Sequence, residues 1–270
     1  MAENGYQVTS YGLCQPTKHA TISPSFHDAV RNASVILLPI PISRDHLLIS
    51  GTDISLSVFF ASLRKGITIY GGMPNTSFAE EVLHRECHII DYTKDEVFQL
   101  RNALPTAEGA LAIAMSELRR TLRGSRTLVV GYGRIGKLLG DILRNMGASV
   151  TVAARKSTDR ALAQLHGCQT IPIHEAPSES ALILPQAYHV IFNTVPVKLI
   201  DERILQEISE ETLLIDLASA PGGIDYDAAN RLGRKTVIAL SLPGKVAPIT
   251  AGEILGDLIS ADLEKRRGAS

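Results

Sequence analysis

Short runs of consecutive apolar residues alternate with amphipathic stretches along almost the whole chain, the pattern of repeated strand–helix units and parallel sheets. In the first hundred residues the apolar runs predict strands over Gln7–Tyr11, Ser34–Ile40, Ile67–Tyr70 and His88–Asp91. Ile54, Val58, Ala61 and Leu63 give a helix over Asp53–Lys65 that stops at Gly66. Ser77 followed by Glu80 reads as a capping box that opens a helix over Phe78–Glu86. A long helix is expected from Pro105 to Leu122, with Pro105 in its first turn and Gly124 closing it. A second series follows, with strands over Thr127–Val130, Ser149–Ala153, Val190–Asn193, Leu213–Leu217 and Thr236–Leu240. Its helices are Arg134–Met146, Thr158–Leu165, Glu202–Ile208 and Tyr226–Leu232, and a last helix runs over Thr250–Lys265.

The start of the chain departs from this rhythm. Ala2-Glu3-Asn4-Gly5 reads like the end of a helix entering a strand, yet no earlier strand precedes it. The first strand of an open parallel sheet is usually central. The first domain is therefore expected to be an abbreviated sheet, either less stable than the Rossmann domain or closed by direct pairing of Gln7–Tyr11 with Ser34–Ile40, or else to continue upstream. One strand, glycine turn and helix would need roughly 20–30 further residues.

One segment carries chemistry. Leu128-Val129-Val130-Gly131-Tyr132-Gly133-Arg134-Ile135-Gly136 is a strand running into GxGxxG and then a helix. Gly131 allows the tight turn, Gly133 lets backbone approach a pyrophosphate, and Gly136 lets the helix lie close on the strand. Free N–H groups at the helix start face the phosphates. The end of the next strand selects the cofactor. NAD-binding domains usually place a carboxylate there for the ribose 2′-hydroxyl. This chain has Ala154-Arg155-Lys156-Ser157, which lacks one and offers donors for a 2′-phosphate. NADP is favoured, with NAD as the alternative.

The later strands end in Asn193-Thr194-Val195-Pro196 and in Asp216-Leu217-Ala218-Ser219-Ala220-Pro221-Gly222-Gly223, where α/β proteins bind ligands. Asn193 and Ser219 are placed to orient a nicotinamide ribose or a substrate. Asp216 is read equally as a cofactor contact and as a buried residue that caps the following turn. The domains are expected at 1–104, with a linking helix over 105–124, a Rossmann domain over 125–247, and a C-terminal helix over 248–270 free to pack back on the first domain. Between the domains the chain would pass through Arg101-Asn102-Ala103-Leu104-Pro105-Thr106-Ala107-Glu108-Gly109 and Ser241-Leu242-Pro243-Gly244-Lys245-Val246-Ala247-Pro248, lining a cleft suited to a small ligand. Arg101, Asn102, Pro243, Gly244 and Lys245 are the candidate substrate residues, and the two cations suit carboxylates.

Composition narrows the classes. With 27 basic and 28 acidic residues the formal net charge is −1, so no strong field gathers nucleic acid or anionic lipid. Cys14, Cys87 and Cys168 lie far apart with no CxxC pair, which argues against a zinc site or disulfide framework and suits a reducing compartment. No basic segment followed by an apolar stretch opens the chain, and the longest early apolar run is broken by Pro39 and Pro41. A cytoplasmic protein with no membrane span, no metal and no nucleic-acid partner is expected.

The motifs together resemble the A subunit of dipicolinate synthase. The likeness is carried by Pro105-Thr106-Ala107-Glu108-Gly109, Gly131-Tyr132-Gly133-Arg134-Ile135-Gly136, Asp216 to Gly223, and Leu242 to Pro248 with Thr250-Ala251-Gly252. It implies a truncated flavodoxin- or Rossmann-like first domain, a C-terminal NAD(P)-binding Rossmann domain, and nicotinamide-dependent oxidation of a lysine-pathway dihydropyridine dicarboxylate to dipicolinic acid. It also implies a flavoprotein-like B subunit as partner and the mother cell of a sporulating bacterium as location; homodimerisation stays open. Lys245 stands where the family has an apolar residue, and Ile249 where it has lysine.

The hydroxy-acid dehydrogenases of this two-domain layout use a histidine after the Rossmann strands, whereas no histidine here follows His189. Aromatisation of the implied substrate supplies driving force, so orientation and a modest base suffice. Glu108 is one candidate base, and a water held by Thr106 and Ser219 is another. Two other classes stay open: a different two-domain NADP dehydrogenase or reductase, and a non-catalytic dinucleotide-binding subunit of a flavoprotein complex.

Overall fold

The structure is a computed structural model that describes residues 1, 5–12, 19–174, 182, 184 and 187–268. Cys14 and the helix-end reading of Ala2-Glu3-Asn4 lie outside the described residues. The chain divides into two compact units, residues 1–99 with 253–270, and residues 100–252.

The first unit opens with β1 (Thr9–Ser10) and β2 (Thr21–Ile22), then α1 (Phe26–Arg31), β3 (Val35–Leu37), α2 (Leu56–Ala61), β4 (Thr68–Gly71), α3 (Thr76–His84) and β5 (His88–Asp91). β3, β4 and β5 form a parallel sheet in that order, with Ile36 opposite Ile69 and Ile69 opposite Ile89. The expected direct pairing of Gln7–Tyr11 with Ser34–Ile40 is not found. β1 pairs instead with β2, Thr9 opposite Thr21, which satisfies the same backbone groups locally. Nor does Ser77 open α3. Asn75 is the cap, its side chain accepting from the Phe78 N–H at 2.8 Å. Asn75, Thr76 and Ser77 are all capable caps, and the one three residues before buried Phe78 holds the position.

The long helix also differs from expectation. α4 spans Glu96–Glu117, with Pro105 inside it and not in its first turn. Pro105 has no N–H for the Arg101 carbonyl, yet the helix continues on both sides of it. The stretch from Arg101 to Gly109 is therefore helical, with Arg101, Leu104 and Glu108 exposed and Ala103, Pro105, Ala107 and Gly109 buried.

The second unit is built from β6 (Arg126–Val130), α5 (Arg134–Asn145), β7 (Ser149–Ala154), α6 (Ser157–Leu165), β8 (Gln169–Pro172), β9 (Val190–Asn193), α7 (Glu202–Glu207), β10 (Leu213–Asp216), α8 (Tyr226–Arg231), β11 (Thr236–Ile238) and α9 (Leu242–Val246). Its six parallel strands run β8-β7-β6-β9-β10-β11, the order of doubly wound dinucleotide-binding sheets. Buried residues alternate between the faces, as a period of two requires. Val129, Phe192 and Ile215 pack with Leu139 and Leu143 of α5 and with Ala107, Ala110 and Ala114 of α4. Leu128, Ile191 and Leu214 pack on the other face with Ile204 of α7 and Ala228 of α8. β8 escapes the apolar pattern because it is an edge strand, paired with β7 alone, and carries polar Gln169 and Thr170 and a proline.

α10 (Pro248–Gly268) closes the described chain, and its residues from Glu253 onward belong to the first unit. There Ile254 and Ile259 pack with Tyr70, Tyr92 and Phe98. The Tyr70 hydroxyl donates to Asp262 Oδ2 at 2.5 Å, and Arg266 Nε donates to the same oxygen at 2.7 Å. Burial opposes the Asp262 charge, but these hydrogen bonds outweigh it and hold the carboxyl below its ordinary value of 3.8. A depressed folded pKa adds stability above the unfolded value that is lost as pH falls through the folded one. Stability of wild-type protein should therefore fall below about pH 4 more steeply than that of Asp262→Asn in thermal unfolding. Identical profiles would remove Asp262 from the acid response.

Candidate functional site

One level of the second sheet organises the site. Ala153, Val130, Asn193, Asp216 and Ile238 lie opposite one another across five strands. The residues just beyond that level therefore emerge together at the carboxyl ends: Ala154, Gly131, Thr194 and Leu217. The sequence motifs around Gly131, Ala154, Asn193 and Asp216 meet here because the register is common to all of these strands.

The glycine turn is held tightly. Gly131 has φ +96°, and a Cβ there would lie 2.3 Å from Thr194 Oγ1 and 2.8 Å from Val195 Cγ2. A Cβ at Gly136 would lie 2.2 Å from the Gly131 carbonyl oxygen, so α5 packs on the turn backbone to backbone. Gly133 is different. It is exposed, and a Cβ there would meet nothing within 4 Å. Gly133 is also the N-cap of α5 and gives no side-chain hydrogen bond to the first turn. Space thus lies at the positive end of a 12-residue helix, where backbone N–H groups favour a pyrophosphate. Arg134 is exposed at this end, Ile135 packs inward, and Tyr132 is buried, its hydroxyl 3.2 Å from His166 Nδ1.

At the end of β7, Arg155, Lys156 and Ser157 are exposed and no carboxylate occupies these positions. The structure adds a residue that sequence reasoning missed. Arg160, one turn into α6, donates from Nη1 to the carbonyls of Ala154 at 2.8 Å and Arg155 at 2.7 Å. It fixes the shape of the strand end from beneath. The signal in the sequence was only a cation four residues after the Lys156 N-cap.

Asn193 and Asp216 do not offer themselves to a ligand. Both are fully buried. Asp216 Oδ1 accepts from the Asn193 side chain at 2.8 Å and the Ala218 N–H at 3.0 Å; Oδ2 accepts from the Gly223 N–H at 2.8 Å and the Tyr226 hydroxyl at 2.7 Å. Asn193 further clamps Val195 through both of its side-chain atoms. The ligand-orienting reading of Asn193 is corrected to one of holding the loops, and of the two readings of Asp216 the buried cap of the following turn is the one found, since a buried carboxylate must have its lone pairs filled. Thr194 caps the end of β6, donating its hydroxyl to the Val130 carbonyl at 2.9 Å. Val195 is half-buried, and Pro196 and Ser219 are exposed at the tips.

The candidate substrate segments meet within this unit, since a Cβ on Gly109 would lie 3.0 Å from Leu242 and 3.2 Å from Val246. Pro243, Gly244 and Lys245 lie on α9, and the last two are exposed. On α4, Arg101 and Glu108 are seven residues apart and share an exposed face, while half-buried Asn102 and Thr106 lie together on a different side of the helix. Thr106 donates its hydroxyl to the Asn102 carbonyl at 2.8 Å. Two residues apart on one helix, Thr106 and Glu108 point apart by about 160°. His189 precedes β9 at the opposite end of the strands, where burial, Arg120 and Arg126 push its pKa below the ordinary value.

Fold and site define a dehydrogenase-type nicotinamide-dinucleotide-binding protein. Residues 102–228 match the NAD-binding domain of D-isomer specific 2-hydroxyacid dehydrogenases, and residues 1–93 match the N-terminal domain of the dipicolinate synthase A subunit. The A subunit of dipicolinate synthase from Bacillus subtilis (strain 168) is 30% identical over 203 residues, covering 74% of this chain and 67% of that protein. The chain belongs to the family of dipicolinate synthase A subunits. Among solved structures, the A subunit from Bacillus halodurans superposes with a TM-score of 0.80 at 26% identity, covering 95% of this chain and 89% of that one. Its counterpart from Bacillus subtilis gives 0.82 at 24%, covering 99% and 91%. A transhydrogenase from Sinorhizobium meliloti shares the fold at 0.72 and 15% identity, covering 98% and 86%. Among the described residues, no helix is long and apolar enough to cross a membrane.

The open position at Gly133 makes a sharp prediction. Gly133→Val should abolish dinucleotide binding in calorimetry while leaving the far-UV circular dichroism and unfolding midpoint near those of the parent. Unchanged affinity would reduce the glycine motif to a packing turn.

Proposed function

We propose that this chain oxidises a dihydrodipicolinate-type dicarboxylate to dipicolinic acid with NADP as acceptor. The observation that carries the reading is the open seat at Gly133 in a chain of this family. Bound there, the nicotinamide supplies the hydride acceptor. The chain's own part is to hold the pyrophosphate on α5, to receive a 2′-phosphate beside Arg155, Lys156 and Ser157, and to orient the ring. Arg101 and Lys245 are the cations for the two substrate carboxylates, supported by Asn102, Pro243 and Gly244. One ring carbon loses a hydride and its neighbour a proton. Glu108 is the candidate base from α4, and Ser219 with Thr106 the alternative through a held water. The reading includes a flavoprotein-like B subunit as partner and a sporulating cell as setting.

A second reading has a specific observation behind it. The Thr106 hydroxyl already donates to the Asn102 carbonyl, so its proton is not available to hold a water. In that reading the chain binds the dinucleotide and the partner completes the chemistry. Turnover of the dihydropyridine dicarboxylate by the chain alone supports the first reading; turnover only with the partner supports the second.

Cofactor choice is tested separately. NADP(H) should bind more tightly than NAD(H) in calorimetric titration, and Arg155→Ala should weaken NADP(H) by ~1–3 kcal/mol through loss of a charge-assisted hydrogen bond. Equal affinity of the unmodified protein for both would overturn the NADP assignment.

A further inference from the structure

Asp216 is a fully buried carboxylate whose four hydrogen-bond donors are all neutral. The donors come from three pieces of the site wall. Ala218 and Gly223 bracket the loop after β10, Asn193 ends β9, and Tyr226 opens α8. From Asn193 the connection continues, because its side chain clamps Val195 by an acceptor at 3.2 Å and a donor at 2.9 Å. Val195 and Thr194 in turn lie against Gly131, where no side chain would fit. A contiguous path of contacts thus runs from the Tyr226 hydroxyl to the glycine turn.

The glycine pair after Pro221 exists to admit this knot. A Cβ on Gly222 would lie 2.2 Å from the Tyr226 oxygen, and one on Gly223 would lie 2.2 Å from Asn193 Nδ2. Of the four donors, the Tyr226 hydroxyl alone can be deleted with no change to backbone or strand end. Burial, and then the hydrogen bond to Asp216, raise its pKa, so it remains a donor throughout the working pH range.

We propose that Tyr226 is a positioning residue for the bound dinucleotide. Its hydroxyl fixes Asp216 and, through it, the Thr194–Pro196 and Leu217–Gly222 loops that wall the nicotinamide half. The adenine half rests on Gly133 and the end of β7 and does not depend on the knot. The inference rests on the dinucleotide seat and not on the choice of NADP or on the substrate.

The test uses Tyr226→Phe in the full chain, with reduced dinucleotide and ADP as separate probes in calorimetry. Dinucleotide affinity should fall about tenfold while ADP affinity stays within about twofold. The fluorescence of the bound reduced nicotinamide should shift towards that of the free form. Asn193→Ala breaks the next link and should give the same split, which keeps the test available if the phenylalanine variant folds poorly. Unchanged dinucleotide affinity, or a parallel loss for both probes, overturns the positioning role in favour of a purely structural one. An unmodified chain that binds ADP but not the dinucleotide also overturns it. One that binds neither removes the seat itself.

Discussion

At the end of β6 a helix backbone touches a strand backbone. The Gly131 carbonyl lies where a Cβ of Gly136 would be, at 2.2 Å. That contact sets the rest of the site, because it draws the first turn of α5 onto the sheet and aims its N–H groups across the carboxyl ends of the strands. It also tolerates no compromise, since backbone cannot swing aside as a long side chain can. Gly133, between the two contact points, is left facing open space. The same few residues thus fix the fold locally and leave open space where a phosphate can approach the main chain.

The common register extends this local constraint across the sheet. Val130, Asn193 and Asp216 share a level, so three loops leave the sheet side by side. Loops so placed would ordinarily be independent. Here a buried polar knot ties two of them together, and Thr194 ties one to the end of β6. A buried polar group is costly unless satisfied, and a fully satisfied network rigidifies what it joins. The stability cost of burying Asp216 is offset by its four donors, and the result is a preorganised wall on which a ligand need not spend binding energy for ordering.

Much of this was legible in the sequence, and the misses have physical causes. The glycine turn could be read because strand, GxGxxG and helix obey close-packing rules that few other residues satisfy, and the buried strands could be read because both faces are apolar. The edge strand β8 could not, since an edge half-exposed to water need not be apolar. The start of α4 was misplaced because Pro105, a common first-turn residue, sits in the helix interior, where surrounding packing by Ala103, Ala107 and Ala110 outweighs its local preference. That error left the first turns of the helix, Glu96 to Leu104, outside it, whereas Thr106 and Glu108 lay inside the expected helix and remain so. Asn193 read as a residue that orients a ligand because it ends a strand at the carboxyl edge of the sheet, whereas for Asp216 a contact and a buried cap read equally well, and the cap is what the structure shows. Only the three-dimensional placement of Tyr226, ten residues further on, shows that their hydrogen bonds point inward.

Amide hydrogen exchange of the unmodified protein, with and without reduced dinucleotide, tests most directly whether the ligand sits on this turn. Exchange should slow at Gly133 to Gly136, at Arg155 to Ser157 and in the loops after Asn193 and Asp216, while the first unit's sheet over β3 to β5 is unaffected. Protection that appears elsewhere, with Gly133 to Gly136 exchanging as fast as before, would contradict the account.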